Sequence, residues 1–315
     1  MKWQHRPEAG GRFAIWLIRE TARVFGRAFV RPFLYPITLY FYLRRVPERR
    51  VSKAYLARIA PAQANALGVL KHIHAFAATI LDRMFFLLQG FAPFEIVLHG
   101  FDELQQQIDR GRGVLLLGAH VGSFELLRAF KHGNTGVVLK VVMDQQQTQA
   151  LNSLLYSLSP EFAEQIIEAG ADPVGLALAL RDVAAQGGVI GLLGDRSRPG
   201  ELTVEADFLG ERALFPAAPY LIASALEMPI VLGVGLYRGR NRYELYFETL
   251  GESVQIPRGA RAAALQTWAQ RYAARLEHYV RMAPFNWFNF YDFWQQDVGA
   301  PVRPEPVAVR ERVGA

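Results

Sequence analysis

Cysteine is absent from the 315 residues, which excludes disulfides, thiolate metal sites and a cysteine nucleophile without choosing a compartment. Also missing are a Gly-x-Ser-x-Gly elbow, a phosphate-cradling Gly-x4-Gly-Lys-Ser/Thr loop and a Gly-x-Gly-x-x-Gly turn, so hydrolase, NTPase and dehydrogenase chemistries of those kinds have no support. There is no paired-histidine zinc motif, and His72 and His74, two residues apart, diverge on a helix. Neither a metal nor a bound cofactor is expected. Residues 1–11 contain no apolar stretch and no small-residue cleavage site, so no secretory signal peptide is expected. The most apolar segment, Pro32 to Leu43, reaches only about 18 Å as a helix against a hydrocarbon core of about 30 Å. It reads as an interfacial segment rather than a span.

Acidic side chains are scarce in the first 60 residues, which hold thirteen basic groups against Glu8, Glu20 and Glu48. That segment carries +10 and the remainder −4 of the overall +6. From Gly11 to Val30 the pattern is helical, with Arg12, Arg19, Arg23 and Arg27 on one stripe and Phe13, Ile15, Leu17, Ile18, Val24, Phe25 and Phe29 over most of the rest. Arg44, Arg45, Arg49 and Arg50 follow the apolar segment. Arginines interleaved with aromatics and leucines suit an anionic membrane surface; no RNA-binding or helix-turn-helix pattern accompanies them, and no nucleic-acid partner is expected. The competing reading is a core helix with a solvated arginine edge. With 51% hydrophobic and 20% charged residues the chain is not disordered.

The chemistry-bearing stretch is Gly113 to Phe130. Val114 to Leu117 is a strand-length apolar run and Glu125 to Phe130 opens a helix, which puts His120 and Glu125 at a strand-to-helix turn. Five residues along one helix is a rotation of about 500°, so the two side chains meet only across a bend. A carboxylate on one imidazole nitrogen would fix the tautomer and leave the other as a base. Gly118 and Gly122 allow a tight turn, and the N–H groups of Gly122 and Ser123 are candidates for an oxyanion site. The competing reading is a hydrogen-bonded turn histidine.

His120-Val-Gly-Ser-Phe-Glu125 resembles the His-x4-Asp/Glu motif of the lysophospholipid acyltransferase superfamily, in the HxGxxE form of its bacterial lipid A biosynthesis branch. The resemblance extends through Gly194-Asp195-Arg196, Asp207-Phe-Leu-Gly210, Phe215-Pro216 and Pro229 to Leu232, and covers roughly residues 90–250. It implies a peripheral enzyme at the cytoplasmic face of a bacterial inner membrane. Such an enzyme moves an acyl group from an acyl carrier protein or coenzyme A thioester to a lipid hydroxyl, with His120 as base and Glu125 orienting it. The acceptor is open among a lipid A precursor, a lysophospholipid, an amino-acid-containing lipid and an aryl-polyene-type lipid. Gly-Asp-Arg stands where many lipid A enzymes have Gly-Asp-Gln. A non-catalytic lipid-binding protein of the same fold is the alternative.

Elsewhere strands and helices alternate. Strands are expected at 95–99, 136–142, 164–167, 188–194, 202–208, 229–236 and 243–250. Helices are expected at 52–70, 71–90, 101–110, 148–157, 173–185 with Asp172 as cap, 217–226 and 262–282. The pattern predicts an α/β fold with a mixed, largely parallel sheet flanked by helices. Residues 1–60 form its membrane-associating segment, 61–298 the acyltransferase domain and 299–315 a loose tail. In such a sheet ligands gather beyond the strands' carboxyl ends, which brings His120 and Asp195-Arg196 to one edge. Asp195, Arg196 and Arg198 are candidate substrate-binding residues, the guanidinium groups suiting a phosphate or carboxylate; an ordinary Asp–Arg surface pair is the competing reading. The loop Leu209 to Pro216 is a candidate lining for an acyl chain.

Overall fold

The computed structural model describes residues 26–127, 136–143, 160–169, 172–198 and 200–294. The basic helix expected from Gly11 is described only from residue 26. The helix expected over 148–157 and the tail from Gly299 lie outside the described residues, as does the helix opened by Glu125 beyond residue 127.

Nine strands run in order: β1 (Glu95–His99), β2 (Val114–Gly118), β3 (Leu139–Met143), β4 (Ile166–Glu168), β5 (Val189–Leu193), β6 (Thr203–Phe208), β7 (Glu211–Pro216), β8 (Ile230–Tyr237) and β9 (Arg242–Gly251). The described helices are α1 (Leu34–Arg44), α2 (Val46–Ile59), α3 (Ala66–Gln89), α4 (Phe101–Asp109), α5 (Pro160–Glu164), α6 (Pro173–Ala185), α7 (Ala218–Ala225) and α8 (Arg261–Met282). Seven strands form one sheet in the order β1-β9-β8-β2-β5-β3-β4. From β8 to β4 they are parallel; β9 is antiparallel to β8, and β1 runs with β9. This is the mixed, largely parallel α/β sheet that the alternation of runs predicts.

Continuous apolar runs mark strands covered on both faces, and β2 and β8 are buried throughout. Leu115, Leu117, Ile190, Leu192 and Leu232 face one core, which also takes Leu265, Leu276 and Tyr272 of α8 and Tyr55 and Leu56 of α2. Leu116, Val189, Val231 and Val141 face the other, closed by α3 and by Leu104 and Ile108 of α4.

Two expectations change. The helix expected over 52–70 is broken: α2 ends at Ile59, Pro61 opens a 3-10 turn, and the Asn65 side chain accepts from Gly68 N at 3.0 Å to start α3. Proline cannot extend a helical ladder and asparagine is a strong N-cap. The loop expected over 209–216 is mostly strand. β6 and β7 form a hairpin whose turn residues Leu209 and Gly210 have φ of 51° and 83°, the positive values that two-residue hairpin turns require. Asp172 does cap α6, accepting from the N–H groups of Val174 and Gly175 with Pro173 at the first helical position.

The segment ahead of α1 is fastened to the domain by arginines. Arg27 donates to both carboxylate oxygens of the fully buried Asp82 on α3, at 2.6 and 2.8 Å, and Tyr243 donates to the same carboxylate at 2.7 Å. Arg27 also caps the Arg240 carbonyl, and Arg31 bonds Tyr237 and that carbonyl. The expected membrane-facing stripe therefore does not include Arg27, whose charge is spent on the fold. Arg27→Ala leaves a buried carboxylate without its ion-pair partner. We expect a loss of about 3 kcal/mol, read as a lower urea midpoint at unchanged slope; an unaltered midpoint would show the clasp to be idle.

Candidate active site

Strand register assembles the site. β2 and β5 pair in parallel with Val114 opposite Val189 and Gly118 opposite Leu193, and Gly194 N donates to Gly118 O at 3.0 Å. His120 and Asp195 each lie two residues beyond that last pair, so the two strands release them side by side at their carboxyl ends. His120 Nδ1 is 2.8 Å from Asp195 Oδ1, and His120 N donates to Asp195 Oδ2 at 3.0 Å.

Asp195 is 1% exposed, and its second oxygen also accepts from the Trp287 indole at 3.0 Å. Burial by itself would raise its pKa. The charge and hydrogen bond of His120, the nearby Arg196 guanidinium and the indole outweigh that and bring it down to about 2, so Asp195 is a carboxylate. A carboxylate only accepts. His120 Nδ1 must then carry the proton, which leaves Nε2 as the basic nitrogen. The His120 pKa lies below the ordinary imidazole value, first through burial and then through Arg196, with Asp195 and Glu125 opposing. The imidazole is thus neutral around pH 7 while its side chain keeps 31% exposure to solvent.

Glu125 is placed differently from the expectation. Its carboxylate is 2.5 Å from Arg83 Nε of α3 and accepts from Ser123 Oγ at 3.3 Å. The imidazole nitrogen expected to meet Glu125 meets Asp195 instead, because the bend after β2 continues as a 3-10 turn over residues 124–127 and α3 offers an arginine to the carboxylate.

The expected oxyanion donors are also committed. Gly122 N donates to Asn286 O and Ser123 N to Gly235 O, both at 2.8 Å. Gly122 has a φ of 58°, and a Cβ there would lie 1.9 Å from Gly235 O. The loop is thereby sewn onto β8. Arg196 donates to Phe288 O at 2.7 Å and stands 5.5 Å over the Tyr291 ring, while Arg198 donates to Ala169 O at 2.5 Å. Arg196 belongs to the His120 cluster, whereas Arg198 ties the β5 loop to β4.

Sequence reading gives Pro284 to Trp294 only as an aromatic segment that caps the core or touches the bilayer, and does not single out Trp287. Asn286 to Phe288 straps the site: the Asn286 carbonyl holds Gly122, Phe288 N donates to His120 O at 2.9 Å, and the Trp287 indole holds Asp195. The aromatic density of 284–294 was the available signal. The apolar lining expected from Leu209 to Pro216 is instead core, with Phe208 and Phe215 fully buried. A small carbon-walled void lies on the opposite sheet face, bounded by Leu116, Phe124, Leu127, Leu139, Val141 and Gly191. The Phe124 ring fills the space left by two glycines; a Cβ at Gly118 would come within 2.9 Å of it and one at Gly191 within 3.4 Å.

Gly122→Ala tests whether this packing holds His120 in place. The left-handed backbone alone costs about 1–2 kcal/mol with a side chain, and the clash with Gly235 displaces the loop. The expected result is a lower melting temperature together with loss of whatever reaction His120 serves. Retention of both at wild-type level would show that the loop does not depend on this contact.

Comparison with known proteins agrees with the resemblance carried by the motif. No match to this chain was found among curated proteins. The family model described as bacterial lipid A biosynthesis acyltransferase matches residues 82–296, a stretch that contains His120, Glu125, Asp195, Arg196 and Trp287. With two thirds of its length matched to that model, the chain belongs to the bacterial lipid A biosynthesis acyltransferase family.

Proposed function

We propose that the protein moves a fatty acyl group from the thioester of acyl carrier protein or coenzyme A to a hydroxyl of a lipid or glycolipid, with His120 as general base. The observation that carries this reading is the 2.8 Å contact between His120 Nδ1 and a buried, ionised Asp195 in a member of an acyltransferase family. Nε2 takes the hydroxyl proton as the oxygen attacks the thioester carbonyl, and the departing thiolate receives the proton back from the imidazolium. Asp195 fixes the tautomer and stabilises the imidazolium. Glu125, held by Arg83, adds a second negative charge facing the ring. Arg196 supplies positive charge for the developing oxyanion or for a phosphate of either substrate. A purely lipid-binding role makes no use of an oriented base.

The same reading places the protein on the cytoplasmic face of a bacterial inner membrane. No described helix is long and apolar enough to cross a membrane. On and beside α1, however, Phe29, Phe33, Tyr35, Leu39, Tyr40 and Leu43 are between 47% and 68% exposed. Exposed Arg44, Arg50 and Lys53 follow them. An apolar face bordered by cations suits shallow insertion among anionic headgroups.

Two measurements test these proposals. His120→Ala and Asp195→Asn are each expected to lower kcat/KM for acyl transfer from a labelled thioester into membrane lipid by about 10²–10⁴-fold, with Glu125→Ala also reducing turnover. Normal transfer by His120→Ala would end the mechanism. For the membrane, Tyr40→Ser combined with Leu43→Ser removes two exposed apolar side chains worth about 1.5–3 kcal/mol each when buried. The double variant should bind anionic vesicles at least about tenfold more weakly; unchanged co-sedimentation would remove α1 from the docking surface.

A further inference from the structure

Behind Asp195 runs a chain of buried polar contacts that the acyl-transfer mechanism does not use. His72 on α3 is fully buried, with Nδ1 2.8 Å from Ser52 Oγ on α2 and Nε2 2.9 Å from the carbonyl of Trp287. A carbonyl only accepts, so His72 Nε2 carries the proton and Nδ1 accepts from the Ser52 hydroxyl. Burial pushes the His72 pKa down to about 4, which keeps the ring neutral in this role. The Tyr55 ring lies 5.5 Å and the Phe290 ring 4.7 Å from the imidazole. Every donor thus points toward Trp287, and Trp287 points its own donor at Asp195.

A fully desolvated imidazole is a costly way to fill core volume, and leucine would fill it without a polar penalty. What the histidine adds is a donor fixed on the Trp287 main chain. Trp287 is 1% exposed and lies in the strap that also bonds the His120 carbonyl. Ser52 and His72 both precede residue 82, where the family match begins. Two side chains ahead of the matched region therefore reach the strap that holds Asp195.

We infer that His72 and Trp287 are positioning residues of the transferase site: His72, set by Ser52, fixes the Trp287 main chain, and the Trp287 indole holds Asp195 in the orientation that sets the His120 tautomer. The inference rests on the His120–Asp195 reading of the reaction. Charged and titratable groups facing His120 are Asp195 and Arg196 from the loop after β5 and Glu125 from its own loop, while Tyr272 of α8 and Tyr291 face Asp195. The indole shares the negative charge of Asp195. Without it that charge bears more fully on the imidazolium and favours protonated His120, whereas Asp195→Asn removes the charge and acts in the opposite direction.

The test compares Trp287→Phe, His72→Leu and His72→Gln in the full-length protein, with kcat and KM measured across pH. Gln places its amide nitrogen near the position of His72 Nε2. Trp287→Phe and His72→Leu should lower kcat by about 10- to 100-fold with little change in KM and should move the acidic limb of the profile to higher pH. His72→Gln should recover most of both effects, and Asp195→Asn should move the limb to lower pH. Imidazole ¹⁵N resonances of His120, which need no substrate, should titrate at higher pH in Trp287→Phe than in the wild type while Nδ1 keeps its proton. Lower melting temperatures with wild-type kcat, wild-type limb and an unaltered His120 titration would reduce His72 and Trp287 to packing. An inactive wild type that still shows the titration shift would instead count against the transferase reading and leave the positioning role intact.

Discussion

The structure turns on one buried carboxylate. Asp195 sits at the end of a central parallel strand with almost no access to water, and an isolated ion there would be strongly unfavourable. It is tolerated because three donors from two distant parts of the chain converge on it: the His120 main chain, the His120 ring and the Trp287 indole. Removing any one leaves charge uncompensated in the interior. The β2 loop, the β5 loop and the 286–288 strap therefore have to be in place together, and the condition for a stable fold is also the condition for an oriented His120 ring.

Much of this was legible in the sequence, and the illegible part has a common cause. Val114 to Leu117 and Gly188 to Gly194 read as buried strands from composition alone, and the fold class follows from their alternation with helices. His120 stood out because it follows such a strand between glycines. Its partner was misassigned to Glu125, five residues away, when the contact is made by Asp195, seventy-five residues away. Local spacing limits what neighbours can do, but register decides which distant residues become neighbours, and register is a property of the assembled sheet. Asp195 was singled out only as a substrate-binding candidate. Glu125 found Arg83 because α3 crosses the loop, a packing fact with no local signature. The N–H groups of Gly122 and Ser123, read as free donors, are taken by Asn286 and Gly235 for the same reason.

Basic residues show the same division between composition and placement. The excess positive charge of the first 60 residues suggests a surface for anions. In the structure some of that charge is consumed internally: Arg27 neutralises Asp82 and Arg31 engages Tyr237. Arg44 at the end of α1 and Arg50 and Lys53 on α2 remain exposed, so among the described residues the outward cationic surface is narrower than the charge count. A charge tally bounds what a segment can bind, but only buried acids reveal which cations the fold has already used.

Glycine and tryptophan divide the two halves of the site between them. On the strand face below His120, Gly118 and Gly191 withhold side chains, and the Phe124 ring occupies the space they leave. At the loops, the buried Trp287 contributes its single side-chain donor to Asp195. The site thus joins close carbon packing at the sheet to a filled hydrogen-bond network at the loops, and both converge on the end of β2. Parallel strands supply this junction because side chains alternate down their length while loops at the carboxyl ends are free to carry polar groups. The boundary between apolar sheet face and polar loop thus falls at Gly118, and His120 stands two residues beyond it.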